Sequence, residues 1–163
     1  TEGVWGLACD PNNTPAVERI LAIKGREAGK GMLLIGACAT AFDEALTALA
    51  EPVRAQVLAS WPGHVTWLLP GSAYPQTIKG EHSAIACRVP DHHQARQIAA
   101  AFGGPIVSTS LNRAGGMPVL SFVQAMDEFA HEVDFVVPGQ TSGYTGASAI
   151  INLDGTVVRE ASS

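Results

Sequence analysis

Apolar and polar positions along this chain change period several times, and each change marks an element. Over "TPAVERILAIKG", Val17, Ile20 and Leu21 recur at helical spacing, which predicts an amphipathic helix. Thr14 is placed to cap it, Pro15 takes its first helical position, and Gly25 stops it with Lys24 in the last turn. "GMLLIGA" is a short apolar run of strand length. Residues 41–49 and 52–61 return to helical spacing, and Pro62-Gly63 closes them in a turn. "HVTWLLP" alternates and is rich in β-formers, and "AIACRVP" is a further strand ending before Pro90. Asp91 is expected to cap "HHQARQIAAAF", which stops at Gly103. "PIVSTS" is a strand running out into polar residues. Ser121 and Gln124 have capping-box spacing at the head of "FVQAMDEFAHEV", and "DFVVPG", "SAIINL" and "TVVRE" supply the last strands.

Strands interleaved with helices make this an α/β chain, expected to form a single domain around a twisted, mixed to antiparallel sheet with flanking helices. The 163 residues, 47% of them hydrophobic, suit one domain, since domains commonly run about 100 to 200 residues. The longest apolar runs, "MLLIG" and "FVVPG", fall far short of the roughly 20 residues that span a bilayer. Cys9, Cys38 and Cys87 lie far apart without a C-x-x-C pair, so buried, reduced thiols are expected. The odd cysteine count and the lack of a signal-type apolar region point to the cytoplasm. Because the chain opens on Thr1 within a loop-strand unit, a trimmed N-terminus is also expected.

Charge changes the picture locally. Ten Lys+Arg against fifteen Asp+Glu give a net −5, which opposes a surface coated in nucleic-acid contacts. Against that background "KGREAGKG", residues 24 to 31, places three cations within seven positions. The spacing is not that of G-x-x-x-x-G-K-[ST]: three residues separate Gly25 from Gly29, Gly31 follows Lys30, and a helix precedes the loop. What remains is Lys24, Arg26 and Lys30 on a flexible glycine loop, read either as a solvated basic loop or as a site for phosphate oxygens.

Two further segments carry candidate chemistry. "STSLN", Ser108 to Asn112, follows the apolar "PIV"; polar residues at a strand end are placed to bind a ligand, or to satisfy their own turn. Arg88 is a lone cation within an apolar strand, and a buried charge needs a partner. It either points outward on an alternating strand or faces a cleft and holds a carboxylate through its fork. The histidines read as surface or capping residues. No H-E-x-x-H cluster, G-x-S-x-G elbow or activated cysteine is present, and no metal-ligand set is predicted. A reaction that needs positioning and charge neutralisation fits better than covalent catalysis.

In order, "TEGVWGLACDP", "KGREAGKGMLLI", "WPGHVTWLLP", "AIACRVPDH", "PIVSTSLNRAGG" and "VVPGQTSGYTGASAIINL" resemble the YrdC/TsaC family of L-threonylcarbamoyladenylate synthases across nearly the whole chain. The most specific parts are K-x-R (Lys24, Arg26) and S-x-N (Ser110, Asn112). The resemblance implies a YrdC-like fold and condensation of L-threonine, bicarbonate and ATP to threonylcarbamoyl-AMP and pyrophosphate, the first stage of making the tRNA base t6A. It implies catalytic roles for Lys24 and Arg26, ATP contacts from Arg26, Lys30, Asn112 and Arg159, and a threonine pocket of Arg88, Ser110 and Ser148, with Arg88 facing the cleft. Mg²⁺ is implied by ATP chemistry. Downstream tRNA threonylcarbamoyl-transfer proteins are implied as partners, with a weak direct tRNA contact. Gly3 and Trp5 stand where many members have threonine and tyrosine or phenylalanine, and members usually carry a helix and a strand upstream of the "TE". The competing readings are a double-stranded RNA or tRNA-binding module of this fold without turnover, and the carbamoyl transfer of much longer, multidomain relatives.

Overall fold

Along residues 84–87 side chains alternate between a face that packs into the core and a face that is left partly open, and this alternation positions the site. The structure, a computed structural model, describes residues 1–144 and 146–161. Seven strands, β1 (Gly6–Cys9), β2 (Leu33–Ile35), β3 (Val65–Pro70), β4 (Ala84–Arg88), β5 (Ile106–Ser110), β6 (Ala149–Ile151) and β7 (Val157–Arg159), form one sheet in the order β1-β5-β2-β4-β3-β6-β7. β2 runs parallel to β4 and β3 parallel to β6, while the other neighbours are antiparallel. This is the mixed α/β sheet that the hydrophobic pattern predicts. Leu34, Ile85, Cys87, Trp67, Leu69 and Val107 point to the packed face and are essentially inaccessible. Together with Val17, Ile20 and Leu21 they belong to one core cluster.

The flanking helices are α1 (Thr14–Lys24), α2 (Asp43–Thr47), α3 (Glu51–Ala59), α4 (Gln76–Lys79), α5 (His93–Phe102) and α6 (Phe122–Phe129). α1 buries the predicted apolar stripe and ends at Gly25, whose φ of 60° is the left-handed conformation that glycine tolerates. Its cap differs from the expectation by one residue. Asn13 accepts from the Ala16 N–H, because a side-chain carbonyl reaches back over the first turn from there and leaves Thr14 helical. Likewise His92, through Nδ1, caps α5, and Asp91 instead faces Arg96. The predicted 41–49 helix is a 3₁₀ turn, Ala39–Phe42, followed by the short α2. At α6 Ser121 does accept from the Gln124 N–H, with the Gln124 side chain reaching the Leu120 N–H.

The expected strand "DFVVPG" does not form. Near its end, side chains take the place of a ladder: Gln94 donates to the Pro138 carbonyl, and His92 pairs with the carbonyl of Gln140 just beyond the run. A β-rich run becomes a strand only where a neighbouring backbone offers register.

Candidate active site

Small residues on the open face, Ala84 and Ala86 on β4, Gly6 on β1 and Ser108 on β5, help to leave a cavity of about 560 Å³. The strand alternation that sends Ile85 and Cys87 into the core sends Arg88 to this side. Arg26, Lys30, Arg88, Ser110, Ser148 and Arg159 all line the cavity. They come from the α1–β2 loop, the ends of β4, β5 and β7, and the approach to β6, so six residues separated by up to 133 positions in sequence meet at one place.

The cation loop is pinned rather than flexible. A 3₁₀ turn spans Ala28–Lys30, and the loop is pressed on the turn after α4, with Met32 N–H donating to the Ile78 carbonyl at 2.8 Å and Glu81 N–H to the Gly29 carbonyl at 2.9 Å. Gly80 has φ 62°, and a Cβ there would lie 2.3 Å from the Gly29 oxygen; only glycine allows so close an approach. Arg26 folds back to donate to the Gly31 carbonyl at 3.1 Å, while its Nε is buried without a partner among the described residues. Burial lowers the pKa of this guanidinium. Lys30 is largely exposed and sits 3.3 Å from Glu27. Lys79, which the sequence reading did not single out, also lines the cavity.

Lys24 and Asn112 lie behind the cavity rather than on its wall. Neither lines the cavity. Lys24 is 5% exposed, and its ammonium donates to the Ser110 carbonyl, to the Asn112 carbonyl at 3.1 Å and to Asn112 Oδ1 at 2.8 Å. Asn112 Oδ1 also accepts from Ser110 Oγ at 2.7 Å, and its amide donates to the Arg113 and Gly116 carbonyls. The side chain of Asn112 is thus spent on the turn, and Ser110 and Asn112 do not present a common face to the cleft. The strand ends at Ser110, so the two-residue alternation that would align them is broken. Burial, with Arg26 nearby, brings the Lys24 pKa down to about 8.

Arg88 faces the cavity, as the resemblance implies, yet is only 4% exposed. It donates through Nε to the Gly63 carbonyl at 2.8 Å and through Nη2 to Glu2 Oε1. Glu2 is fully buried, and nothing in the sequence marks it as the partner beyond the need of an arginine in an apolar strand for some carboxylate. Ser148 is 3% exposed and hydrogen-bonds Thr66 at 2.8 Å. Arg159 donates to the Ser148 carbonyl at 2.7 Å. Its pKa is lowered by burial and then by the positive charges of Arg26 and Arg88. Arg159 thus lies close enough to Arg26 and to Arg88 to feel both charges, and among the described residues only Arg88 of the three guanidiniums lining the cavity is paired with a carboxylate, an arrangement suited to an anion.

Trp5 also lines the cavity and tilts against Phe122 with centroids 5.9 Å apart. Gly3 lies against the backbone of Gly146, where a Cβ would come within 2.1 Å of the carbonyl oxygen, so this loop offers backbone and indole rather than a threonine side chain. Of the cysteines, Cys87 is buried as expected and Cys9 partly so, whereas Cys38 is exposed on the turn before α2, beside Thr40 Oγ1. Among the described residues no group of three His, Cys, Asp or Glu side chains could hold a metal.

A family model, Sua5_yciO_yrdC, described as "Telomere recombination", matches residues 1–161. The chain belongs to the Sua5/YciO/YrdC family. Members named threonylcarbamoyl-AMP synthase include one from Chromohalobacter salexigens, 43% identical over 94% of this chain and 83% of its own length, and one from Marinobacter nauticus, 42% identical over 94% and 82%. P. abyssi Sua5 complexed with L-threonine superposes on this Sua5/YciO/YrdC domain with a TM-score of 0.86 at 26% identity, over 94% of this chain and 46% of the longer Sua5 chain. E. coli YciO shares the fold, with a TM-score of 0.82 over 99% of this chain and 80% of its own.

Proposed function

We infer that this chain is a threonylcarbamoyl-AMP synthase, a nucleotidyltransferase that joins L-threonine, bicarbonate and ATP. The observation that carries this reading is the convergence of Arg26, Arg88 and Arg159 on one cavity that Ser110 and Ser148 also line. The threonine amine takes up bicarbonate with loss of water to give a carbamate. A carbamate oxygen then attacks the α-phosphorus, the bond to the β-phosphate oxygen breaks, and pyrophosphate leaves with its electron pair. No protein nucleophile is required, so catalysis consists of alignment and stabilisation of the charge on the departing pyrophosphate.

Arg26, Lys30 and Arg159 hold the triphosphate in this reading. Arg88 holds the threonine carboxylate, with Ser148 and Ser110 completing the amino-acid pocket. Lys24 and Asn112 act from behind, fixing the turn that presents Ser110 and adding positive charge near the nucleotide. Mg²⁺ would enter on the triphosphate, held mainly by phosphate oxygens and water, and would supply further neutralisation of charge. Threonylcarbamoyl-AMP is a mixed anhydride and needs a nucleophilic acceptor; in this reading tRNA threonylcarbamoyl-transfer proteins of the cytoplasm take it onward, with any direct tRNA contact weak on a chain of net charge −5.

The test is incubation with ATP, bicarbonate and each amino acid in turn, followed by mass spectrometry. A threonine-dependent carbamoyl-adenylate with matching pyrophosphate release is expected. Steeply salt-dependent tRNA binding without any adenylate would replace this reading with the RNA-binding one.

A further inference from the structure

The Glu2–Arg88 pair is built in a way that packing alone does not explain. Glu2 Oε1 accepts from two donors at once, Arg88 Nη2 and the main-chain N–H of Asp91 at 2.7 Å. The main-chain carbonyl of Glu2 accepts from the Ser142 N–H at 2.9 Å, and the adjoining Gly3 abuts Gly146. One residue therefore ties the end of β4, which carries Arg88, to the segment leading to Ser148. Glu2 Oε2 is buried with no hydrogen-bond partner among the described residues. A fully buried carboxylate with one oxygen left unsatisfied is costly, and natural cores seldom keep one without a use.

We propose that Glu2 is a positioning residue for amino-acid recognition: it holds the Arg88 guanidinium in the orientation that receives a substrate carboxylate. With Nε on Gly63 and Nη2 on Glu2 the side chain is held at two points, and among the described residues Nη1 makes no hydrogen bond, which leaves the Nη1–Nη2 edge as a planar pair of donors. That pair matches a carboxylate. An unrestrained arginine would lose rotamer freedom each time threonine bound, whereas here that ordering is completed on folding. The inference rests on the reading above that Arg88 receives the threonine carboxylate.

The experiment compares the wild-type chain with Glu2→Gln and Arg88→Lys, measuring melting temperature and the KM values for threonine and ATP. Glu2→Gln keeps the shape but not the charge-assisted grip, so threonine KM is expected to rise on the order of tenfold, the scale of a slightly misplaced contact, with ATP KM nearly unchanged. Discrimination between threonine and threoninamide, which lacks the carboxylate charge, should shrink in parallel. In the wild-type chain before threonine is added, the Arg88 guanidinium protons should give resolved, slowly exchanging NMR signals. This measurement needs no variant and stands if Glu2→Gln does not fold.

A folded Glu2→Gln with normal threonine KM, equal rises in both KM values, or guanidinium signals that sharpen only when threonine binds would overturn the proposal. Normal threonine KM in Arg88→Lys would instead overturn the site reading itself. Damage in Arg88→Lys with a normal Glu2→Gln removes only the role of Glu2.

Discussion

The Lys24 ammonium lies 2.8 Å from Asn112 Oδ1 and 3.1 Å from the carbonyl of the same residue, so the K-x-R and S-x-N segments, 88 positions apart, are joined at a buried contact behind the cavity. This contact gives Lys24 two opposed pH dependences. Its pKa is about 8 in the folded chain against an ordinary 10.5. Between these values the unfolded chain holds more protons, so the contribution of Lys24 to stability rises with pH across that window. Turnover, which uses the charged form, should fall over the same range. Denaturant titrations and pyrophosphate release from pH 7 to 10 on wild type and Lys24→Met test this: the stability difference should move in favour of wild type as pH rises, and the alkaline limb of activity should be missing in the variant.

Asn112→Ala removes the acceptor shared by Lys24 and Ser110 together with two donors to main-chain carbonyls. The expected cost is about 2 kcal/mol, since losing the shared acceptor leaves the partly buried Lys24 and Ser110 donors short of a partner, which corresponds to a drop of roughly 4–8 °C in melting temperature for a chain of this size. Activity should fall with it. An unchanged melting curve with selectively weakened ATP binding would show that the side chain leaves the turn to meet the nucleotide.

Arg26 and Arg159 share the cavity and repel each other. An anion bound between them should therefore stabilise the fold. Pyrophosphate or ATP at about a hundred times Kd should add roughly 2.7 kcal/mol of stability, read as a rise in melting temperature. Arg26→Ala should reduce that rise and slow pyrophosphate release about a hundredfold, the typical loss from removing one preorganised charge contact. Full activity in Arg26→Ala would exclude its role at the phosphates.

Ser148 and Thr66 form a buried hydroxyl pair at 2.8 Å. Ser148→Ala strands the Thr66 hydroxyl and should cost about 1–3 kcal/mol. Adding Thr66→Val should restore most of that stability, because both polar groups are then gone. Threonine KM should stay raised in the double variant, separating the role of Ser148 at the substrate from its role in packing. If the double variant also restored threonine KM, Ser148 would be a packing residue alone.

The α/β class, the mixed sheet, most of its strands and the extents of α1, α3 and α5 to within about two residues follow from local chemistry: apolar period, capping residues and glycine stops act over a few neighbours, whereas the short α4 left no such mark. The clustering of Arg26 and Lys30 is local too, as is the anomaly of an arginine in the apolar strand of Arg88. What those cations face is a different kind of fact. "DFVVPG" has the composition of a strand and is none, because pairing needs a second backbone in register. Asn112 reads as a residue two positions from Ser110, and nothing local shows that Lys24, arriving from α1, meets its Oδ1. Glu2, an ordinary acidic residue in a loop, becomes the buried partner of Arg88 only when the sheet brings positions 2 and 88 together. Local propensity is encoded in contiguous residues, whereas the partner of a charge is chosen by whichever distant group the packed chain places within a few ångströms, and that choice belongs to the tertiary structure.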